Sequence, residues 1–438
     1  MARVILGVGA GIAAYKACEL LRLLTEAGHR VRVIPTEDAL RFVGEPTWAA
    51  LSGEPVTTDV WSGVAEVPHV RLGQTADLVL VAPATADLLA RATAGMASDL
   101  LTATLLTARC PVIYAPAMHT EMWEHPATQD NVARLRERGA IVVDPAVGRL
   151  TGPDTGRGRL PEPAELFVLA ESVLSATRTS STPFSSGTDR AGSPSAAPLR
   201  SGAQPYGGTL SGRRVLISAG GTREELDPVR FLGNWSTGRQ GYAFARSAVA
   251  RGAEVTVVAA NVELPDPAGA KVVRVVSARD MHAAMLAEAD TADAIVMTAA
   301  VADFRPATRA DSKMKKDGRL PEPIVLTENP DILADLSARR AARGQASQVV
   351  VGFAAETDPD LDAARAKLAR KGCDLLVVNP VGNGRGFGSG DNEAVVLGAD
   401  GTSTPIPRQS KDALADLVLE LVLARLKLVS SHIDWPVG

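Results

Sequence analysis

The sequence predicts an α/β protein: two doubly wound, Rossmann-like (flavodoxin-like) domains with mostly parallel sheets, joined by a flexible linker. Three observations carry this. Short apolar, β-rich runs alternate with helical patterns through both halves of the chain. Each half opens on a run that ends in glycines, RVILGVGAGIAAYKA from Arg3 and RRVLISAGGTREELDPVR from Arg213. Between residues 177 and 209, serine, proline, glycine and alanine dominate and apolar periodicity disappears, so that stretch buries too little to offset its ordering entropy.

The first domain, 1–176, takes its strands from the apolar runs at 4–8, 31–34, 78–82, 112–115 and 141–143. Its clearest helical patterns are 12–27 and 131–138. The linker is 177–209. In the second domain, 210–438, strands are expected at 215–219, 255–259, 272–276, 294–298, 349–353 and 375–379. Helices are expected there at 242–251, 281–288, 331–343, 361–371 and 411–428. Ligands of such sheets bind beyond the carboxyl ends of the strands, and most motifs fall there. The halves share a fold type but no register of motifs, so they are not repeats.

At 438 residues the chain is long enough for two or three cores. A formal net charge of -4 gives no reason to expect nucleic acid or an anionic membrane as partner. No uncharged apolar run approaches the ~20 residues needed to span a bilayer. The first residues enter a strand pattern without the charged and apolar regions of a signal peptide. Cys18, Cys110 and Cys373 have neither metal nor disulfide spacing, so a reducing cytoplasm is the expected compartment.

In the first glycine turn, Gly7-Val8-Gly9-Ala10-Gly11-Ile12, Ile12 stands where a dinucleotide fingerprint needs its third glycine. Thr36 follows the second strand, where a ribose-binding acid would be wanted. A hydroxyl beside a glycine turn suits a mononucleotide phosphate; glycines for a tight turn and a helix-capping threonine remain the alternative. Four further segments complete a pattern: PHVRL from Pro68, APATAD from Ala82, GMASDLL from Gly95 and PAMHTEMW from Pro116. With GIAAYKA they resemble the flavin-containing cysteine decarboxylases, and most closely phosphopantothenoylcysteine decarboxylase, over nearly the whole first half. The resemblance implies FMN held between subunits of a trimer. It implies contacts from Thr36, Thr85, Ser98 and the backbone at Gly11 and Ile12. His69 matches the family's active-site histidine, and an imidazole exchanges protons near neutrality. His119 replaces an asparagine of the pattern and would bond a substrate carboxylate. The pattern's proton-donating cysteine falls at Gly152, leaving Asp154 or water as donor.

Five motifs mark the second half: SAGGTREELDPVR, GNWSTGRQG, AAVADF, KMKK followed by NPDIL, and GFAAET. Each alone has an ordinary reading as a turn, a helix start or a charged face. Together, in this order, they resemble phosphopantothenate–cysteine ligase. That resemblance implies CTP activating a carboxylate as an acyl-cytidylate, which the cysteine amine attacks. It implies Asn234 and Lys313 as catalytic residues, with Lys313 also on the triphosphate. Nucleotide contacts would come from Gly220, Gly221, Asp303, Pro330, Asp331, Ile332, Leu333, Phe353, Lys367 and Lys371, and Asp303 would also meet Mg²⁺.

Decarboxylase before ligase is the order of the bacterial bifunctional enzyme of coenzyme A biosynthesis. The small-molecule partners would be 4'-phosphopantothenate, cysteine and CTP. Trimeric and dimeric halves would close a homo-oligomer, a dodecamer. Two other readings stand beside it: a nicotinamide oxidoreductase, and an active ligase fused to a flavin-binding half that is impaired or regulatory.

Overall fold

The structure, a computed structural model, describes residues 1–58, 67–150, 154–180, 209–314, 323–356, 360–381 and 390–430. The chain divides into two compact units, Met1–Gly212 with Ala250–Gly252, and Arg213–Val249 with Ala253–Gly438. Helix Pro163–Ser180 runs through the first four residues of the expected linker, and residues 181–208 lie outside the described residues.

The first unit has a parallel sheet of β1 (Arg3–Val8), β2 (Arg30–Pro35), β3 (Leu78–Ala84), β4 (Val112–Pro116) and β5 (Ile141–Val142). Its order is β2-β1-β3-β4-β5, the flavodoxin-like order, with the switch point between β1 and β3. All seven residues of β3, LVLVAPA, are buried, as a parallel strand covered on both faces requires. Helix Ala14–Glu26 packs through Ala14, Ala17, Leu20, Leu21 and Leu24, a stripe at helical spacing. Trp48 is fully buried and its indole N–H bonds to the Val43 carbonyl (3.0 Å), so the ring adds apolar burial without an orphan donor. A hairpin of β6 (Ala146–Arg149) and β7 (Thr155–Arg159) stands apart from the main sheet.

In the second unit the main sheet contains β8 (Arg214–Gly220), β11 (Glu254–Ala260), β12 (Ala270–Val275), β13 (Ala294–Met297), β16 (Val349–Glu356), β17 (Leu375–Pro380), β18 (Asp391–Gly398) and β19 (Ser403–Ser410). Two small antiparallel pairs flank it: β9 (Arg223–Glu225) with β10 (Phe231–Gly233), and β14 (Phe304–Pro306) with β15 (Leu326–Glu328). The main order is β12-β11-β8-β13-β16-β17-β18-β19. Counted along the chain, its six parallel strands follow the 3-2-1-4-5-6 order of dinucleotide folds, with the switch between β8 and β13. β18 and β19 extend this sheet as an antiparallel hairpin. Among the described residues no helix is long and apolar enough to cross a membrane.

Candidate functional site

In the first unit the predicted cofactor residues line up along the carboxyl edge of the sheet. Backbone bonds fix the row. Thr36 N–H donates to the Val8 carbonyl (2.8 Å), Gly9 N–H to Pro83 (2.9 Å) and Ala117 N–H to Ala84 (3.1 Å). The β1 turn approaches β3 so closely that a Cβ on Gly9 would stand 2.6 Å from the Pro83 oxygen. Gly11, at φ +140°, has open space where a Cβ would be, and Ile12 beside it is 67% exposed. Helix Ala14–Glu26 begins there with no side-chain cap and no acid in its first turn; Ala14 N–H donates to the Gly11 carbonyl (3.0 Å) and Lys16 N–H to the Ala13 carbonyl (3.0 Å).

Thr36 and Thr85 have local tasks as well. The Thr36 hydroxyl, 8% exposed, accepts from Ala39 N–H (3.3 Å), and the Thr85 hydroxyl accepts from Leu88 N–H (3.2 Å) at the start of helix Ala86–Ala94. Ser98 is exposed and accepts from Arg91 (3.1 Å), which also holds Asp87 and Asp99. Burial pushes the Asp99 carboxyl up, but bonds from Thr102 and Arg91 outweigh it and hold it below its ordinary value.

The two histidines are placed differently. His119 caps the short helix Thr120–Glu124 by position only, half exposed, with Nδ1 3.6 Å from a Glu121 oxygen. Strand β7 lies against it: Met118 N–H donates to the Gly158 carbonyl (3.0 Å), and a Cβ on Gly158 would meet the Met118 oxygen at 2.1 Å. His69 does not join the row. Its carbonyl accepts from the Thr107 hydroxyl (2.7 Å), at the C-terminal end of helix Leu100–Thr107, whereas Ser98 precedes the N-terminal end. Its Nδ1 is buried and has no hydrogen-bond partner among the described residues. Gly152 lies outside the described residues, and Asp154 is exposed.

The second unit contains a cleft of about 900 Å³ at the carboxyl edge of its sheet. Asn234 lies on one wall, its side-chain amide donating to the Val301 carbonyl (3.0 Å), and Asp303 immediately precedes β14. Pro330, Asp331, Ile332 and Leu333 bring the N-terminus of helix Ile332–Ala342 to the cleft, with the Asp331 carboxylate capping it at Ala334 N–H (3.2 Å). Phe353 on β16 also lines it, edge-on to Phe244 with centroids 5.6 Å apart. Lys367 and Lys371, one turn apart on helix Leu361–Lys371, both reach this cleft; Lys367 bonds Glu356 (3.0 Å) and Lys371 bonds Asp331.

Three predicted residues stand outside the lining. Gly220, at φ +84°, leaves no room for a side chain: a Cβ would stand 1.9 Å from the Ala260 oxygen. A Cβ on Gly221 would meet the Asn234 oxygen at 2.7 Å, so Gly221 lets the Asn234 segment cross the end of β8, while Gly220 makes room for the end of β11. Lys313 is exposed in the described segment 307–314 that follows β14.

Other cleft residues were not among the expected contacts, although Ser236, Arg239 and Gln240 stand inside the GNWSTGRQG motif. A second helix N-terminus, that of Arg239–Ala250, opens into it behind Ser236. Lys411 lines it while only 7% exposed, and burial and the charge of Arg239 pull its ammonium below the ordinary lysine value, with Asp391 opposing. Gln240 ties this corner together, donating to the Lys411 carbonyl (3.1 Å) and accepting from Asn392 (3.4 Å). Among the described residues no three His, Cys, Asp or Glu side chains converge on a metal position.

The family model described as Flavoprotein matches residues 1–174, and the DNA/pantothenate metabolism flavoprotein C-terminal domain matches residues 210–426. The Coenzyme A biosynthesis bifunctional protein CoaBC of Mycobacterium tuberculosis is 56% identical over 436 residues, 98% of this chain and 98% of that protein. The protein of the same name from Vibrio cholerae is 40% identical over 424 residues, 96% of this chain and 97% of its own length. A crystal structure of the C-terminal domain of Coenzyme A biosynthesis bifunctional protein CoaBC aligns at 34% identity and a TM-score of 0.42, covering 50% of this chain and 98% of that one.

Proposed function

The chain belongs to the family of bifunctional coenzyme A biosynthesis proteins, enzymes with a flavoprotein decarboxylase half and a ligase half, and from that premise we propose a division of work between its two sites. The cleft of the second unit joins cysteine to 4'-phosphopantothenate using CTP. The carboxyl edge of the first unit then decarboxylates 4'-phosphopantothenoylcysteine to 4'-phosphopantetheine using FMN.

One observation carries the ligase assignment: two helix N-termini and the cations Arg239, Lys367, Lys371 and Lys411 open into a single cleft. Backbone N–H groups at helix starts favour phosphate, and fixed cations offset the charge of a triphosphate. The substrate carboxylate attacks the α-phosphorus and pyrophosphate leaves. The cysteine amine then attacks the acyl carbon and CMP leaves. Asn234, tied to the wall at Val301, is positioned to hold the acyl group, and Lys313 would meet the phosphates. Asp303 is the carboxylate for Mg²⁺, a cation that often takes one or two protein carboxylates and completes its shell with phosphate oxygens and water.

The first unit fits FMN at the β1 turn, where the uncapped helix start and the open side of Gly11 suit a phosphate. Thr36, Thr85 and Ser98 are hydroxyls along the same edge. When bound, FMN supplies the reversible two-electron oxidation that turns an unactivated carboxylate into a leaving group. His119 would pair with that carboxylate, and Glu121 nearby steadies its imidazole. His69, remote from Ser98 within one chain, supports a site completed by a neighbouring copy. That arrangement accords with a trimeric flavin half and a dodecameric whole.

Product analysis by mass spectrometry tests the scheme, with FMN-loaded protein, Mg²⁺, 4'-phosphopantothenate, cysteine and either CTP or ATP. The expected products are 4'-phosphopantetheine and CMP in equal amounts. Release of a nucleoside diphosphate would refute the acyl-cytidylate. A product that stops at phosphopantothenoylcysteine would refute decarboxylation by this chain.

A further inference from the structure

Asp227 sits in the turn between β9 and β10 with 0% of its side chain exposed. One carboxylate oxygen accepts from Val229 N–H (2.8 Å) and Arg230 N–H (2.9 Å). The other accepts from the Arg230 guanidinium (3.0 and 2.5 Å) and from the distant Met314 N–H (3.1 Å). Arg230 in turn donates to the Met314 carbonyl (2.8 Å). Both backbone groups of Met314 are therefore held by one ion pair whose carboxylate is buried and whose guanidinium is half exposed. The Arg230 guanidinium, with the backbone donors, holds the Asp227 carboxyl far below the usual carboxylate range.

The same turn fastens segment 307–314 at two more points. Ala310 N–H donates to the Leu226 carbonyl (2.9 Å), and Arg309 pairs with Glu225 (2.5 Å). A turn that served only itself would be complete with Arg230 and the two local N–H groups. The bonds to Met314 go further, fixing the residue next to Lys313. A lysine on an unanchored excursion must lose chain freedom each time it meets a ligand; an anchored neighbour removes most of that cost beforehand.

We propose that Asp227 is a positioning residue for the ligase, acting through Arg230 and Met314 to present Lys313 to the nucleotide. The proposal rests on the reading of Lys313 as a phosphate-binding residue. It assigns Asp227 no contact with substrate.

The test uses full-length, FMN-loaded protein carrying Asp227→Asn, Lys313→Gln or both. Ligase KM for CTP and kcat are measured, and decarboxylation of supplied phosphopantothenoylcysteine reports the fold of the other unit. Asp227→Asn should raise the CTP KM roughly tenfold or more, within the range of about a hundredfold that a group misplaced by ~1 Å costs. Decarboxylation should stay at the wild-type rate. The double variant should be no worse than Lys313→Gln alone, because both changes remove one interaction. Penalties that multiply would overturn the proposal, as would an unchanged KM in Asp227→Asn. If Lys313→Gln alone leaves ligation unaltered, the reading of Lys313 itself fails, and the proposal with it. Should Asp227→Asn fail to fold, Arg230→Lys carries the test: it keeps the charge beside Asp227, and loss of the Met314 link should again raise KM without adding to Lys313→Gln. Additivity there would refute the proposal equally.

Discussion

Gly158→Ala should separate the two activities within one polypeptide. Strand β7 passes so close to the segment before His119 that an added Cβ would stand 2.1 Å from the Met118 carbonyl oxygen. An ordinary contact begins near 3.4 Å, so either β7 or residues 118–119 must retreat by about 1 Å. The neighbour is backbone, so no rotamer change relieves the clash. The retreat strains or breaks the Met118 N–H bond to Gly158 (3.0 Å), a loss of about 1 kcal/mol, while overpacking adds about 1–3 kcal/mol. Those costs, about 2–4 kcal/mol together, are tolerable for a unit whose core lies elsewhere. A displacement of ~1 Å at a reacting group, however, costs on the order of a hundredfold in rate. With all ligase substrates supplied, the variant should accumulate phosphopantothenoylcysteine and release CO₂ about a hundredfold more slowly than wild type, at unchanged CMP production. Decarboxylation at the wild-type rate would refute the claim that β7 positions His119. Equal losses in both reactions would mean that the whole chain had been destabilised.

Three further outcomes follow from other contacts. Lys371→Ala removes a cleft cation paired with Asp331; at about 1.5–3 kcal/mol for a charged hydrogen bond, the CTP KM should rise about ten- to a hundredfold with decarboxylation unaffected, and steady-state kinetics of the two half-reactions checks it. Thr85→Ala removes a helix cap, which lowers stability by about 1 kcal/mol in a denaturant melt of the apoprotein, and it should also weaken FMN binding by flavin fluorescence; Thr85→Ser should restore both. Burial pushes the Cys110 thiol up to about 12 and the Cys373 thiol up to about 11, leaving very little thiolate at pH 8. Iodoacetamide at that pH should therefore modify neither until the protein is unfolded, and rapid labelling of either in the native state would contradict the burial.

What the sequence made legible was decided by local signals. Helix Leu361–Lys371 has the bounds expected from the sequence because both ends are marked: Asp360 caps two N–H groups, and Gly372 at φ +63° ends the last turn. Helix Leu100–Thr107, LLTATLLT, escaped because it is apolar on nearly every side and has no stripe to detect. The hairpin of β18 and β19 was also missed, although Asn392, Ala394 and Val396 alternate into the core and Asp400-Gly401 marks the turn; two prolines in STPIPRQS hid the second strand. Of the candidate sites, the residues around Asn329 could be found because NPDIL resembles a family motif. Lys411 could not, whereas Gln240 lay inside GNWSTGRQG without being singled out. The place of Lys411 in the cleft depends on β18, β19 and the last helix folding back beside β17, and a lysine at a helix start carries no mark of that.

Under the proposed assignment, strand order explains why two units of one architecture would suit different phosphates. In the first, the edge along β1 and β3 presents one uncapped helix start, and the nearby cations Lys16 and Arg91 are already held by Glu162 and by Asp87 and Asp99. A helix terminus carries about half a charge, enough to favour one phosphate group but not a chain of three. In the second, β13 and β16 continue the sheet beyond the switch point, so that helix Ile332–Ala342 brings a second N-terminus into the cleft that already receives helix Arg239–Ala250. Helix Leu361–Lys371 follows β16 and adds two lysines to the wall, themselves paired with Glu356 and Asp331. The β17–β18–β19 extension brings Lys411 to the remaining corner. Under that assignment, the longer sheet thus gathers more positive charge for a nucleoside triphosphate than a flavin monophosphate would need. Exchanging the ligands between the two units would leave the triphosphate under-neutralised in the first and the cations of the second without a matching charge.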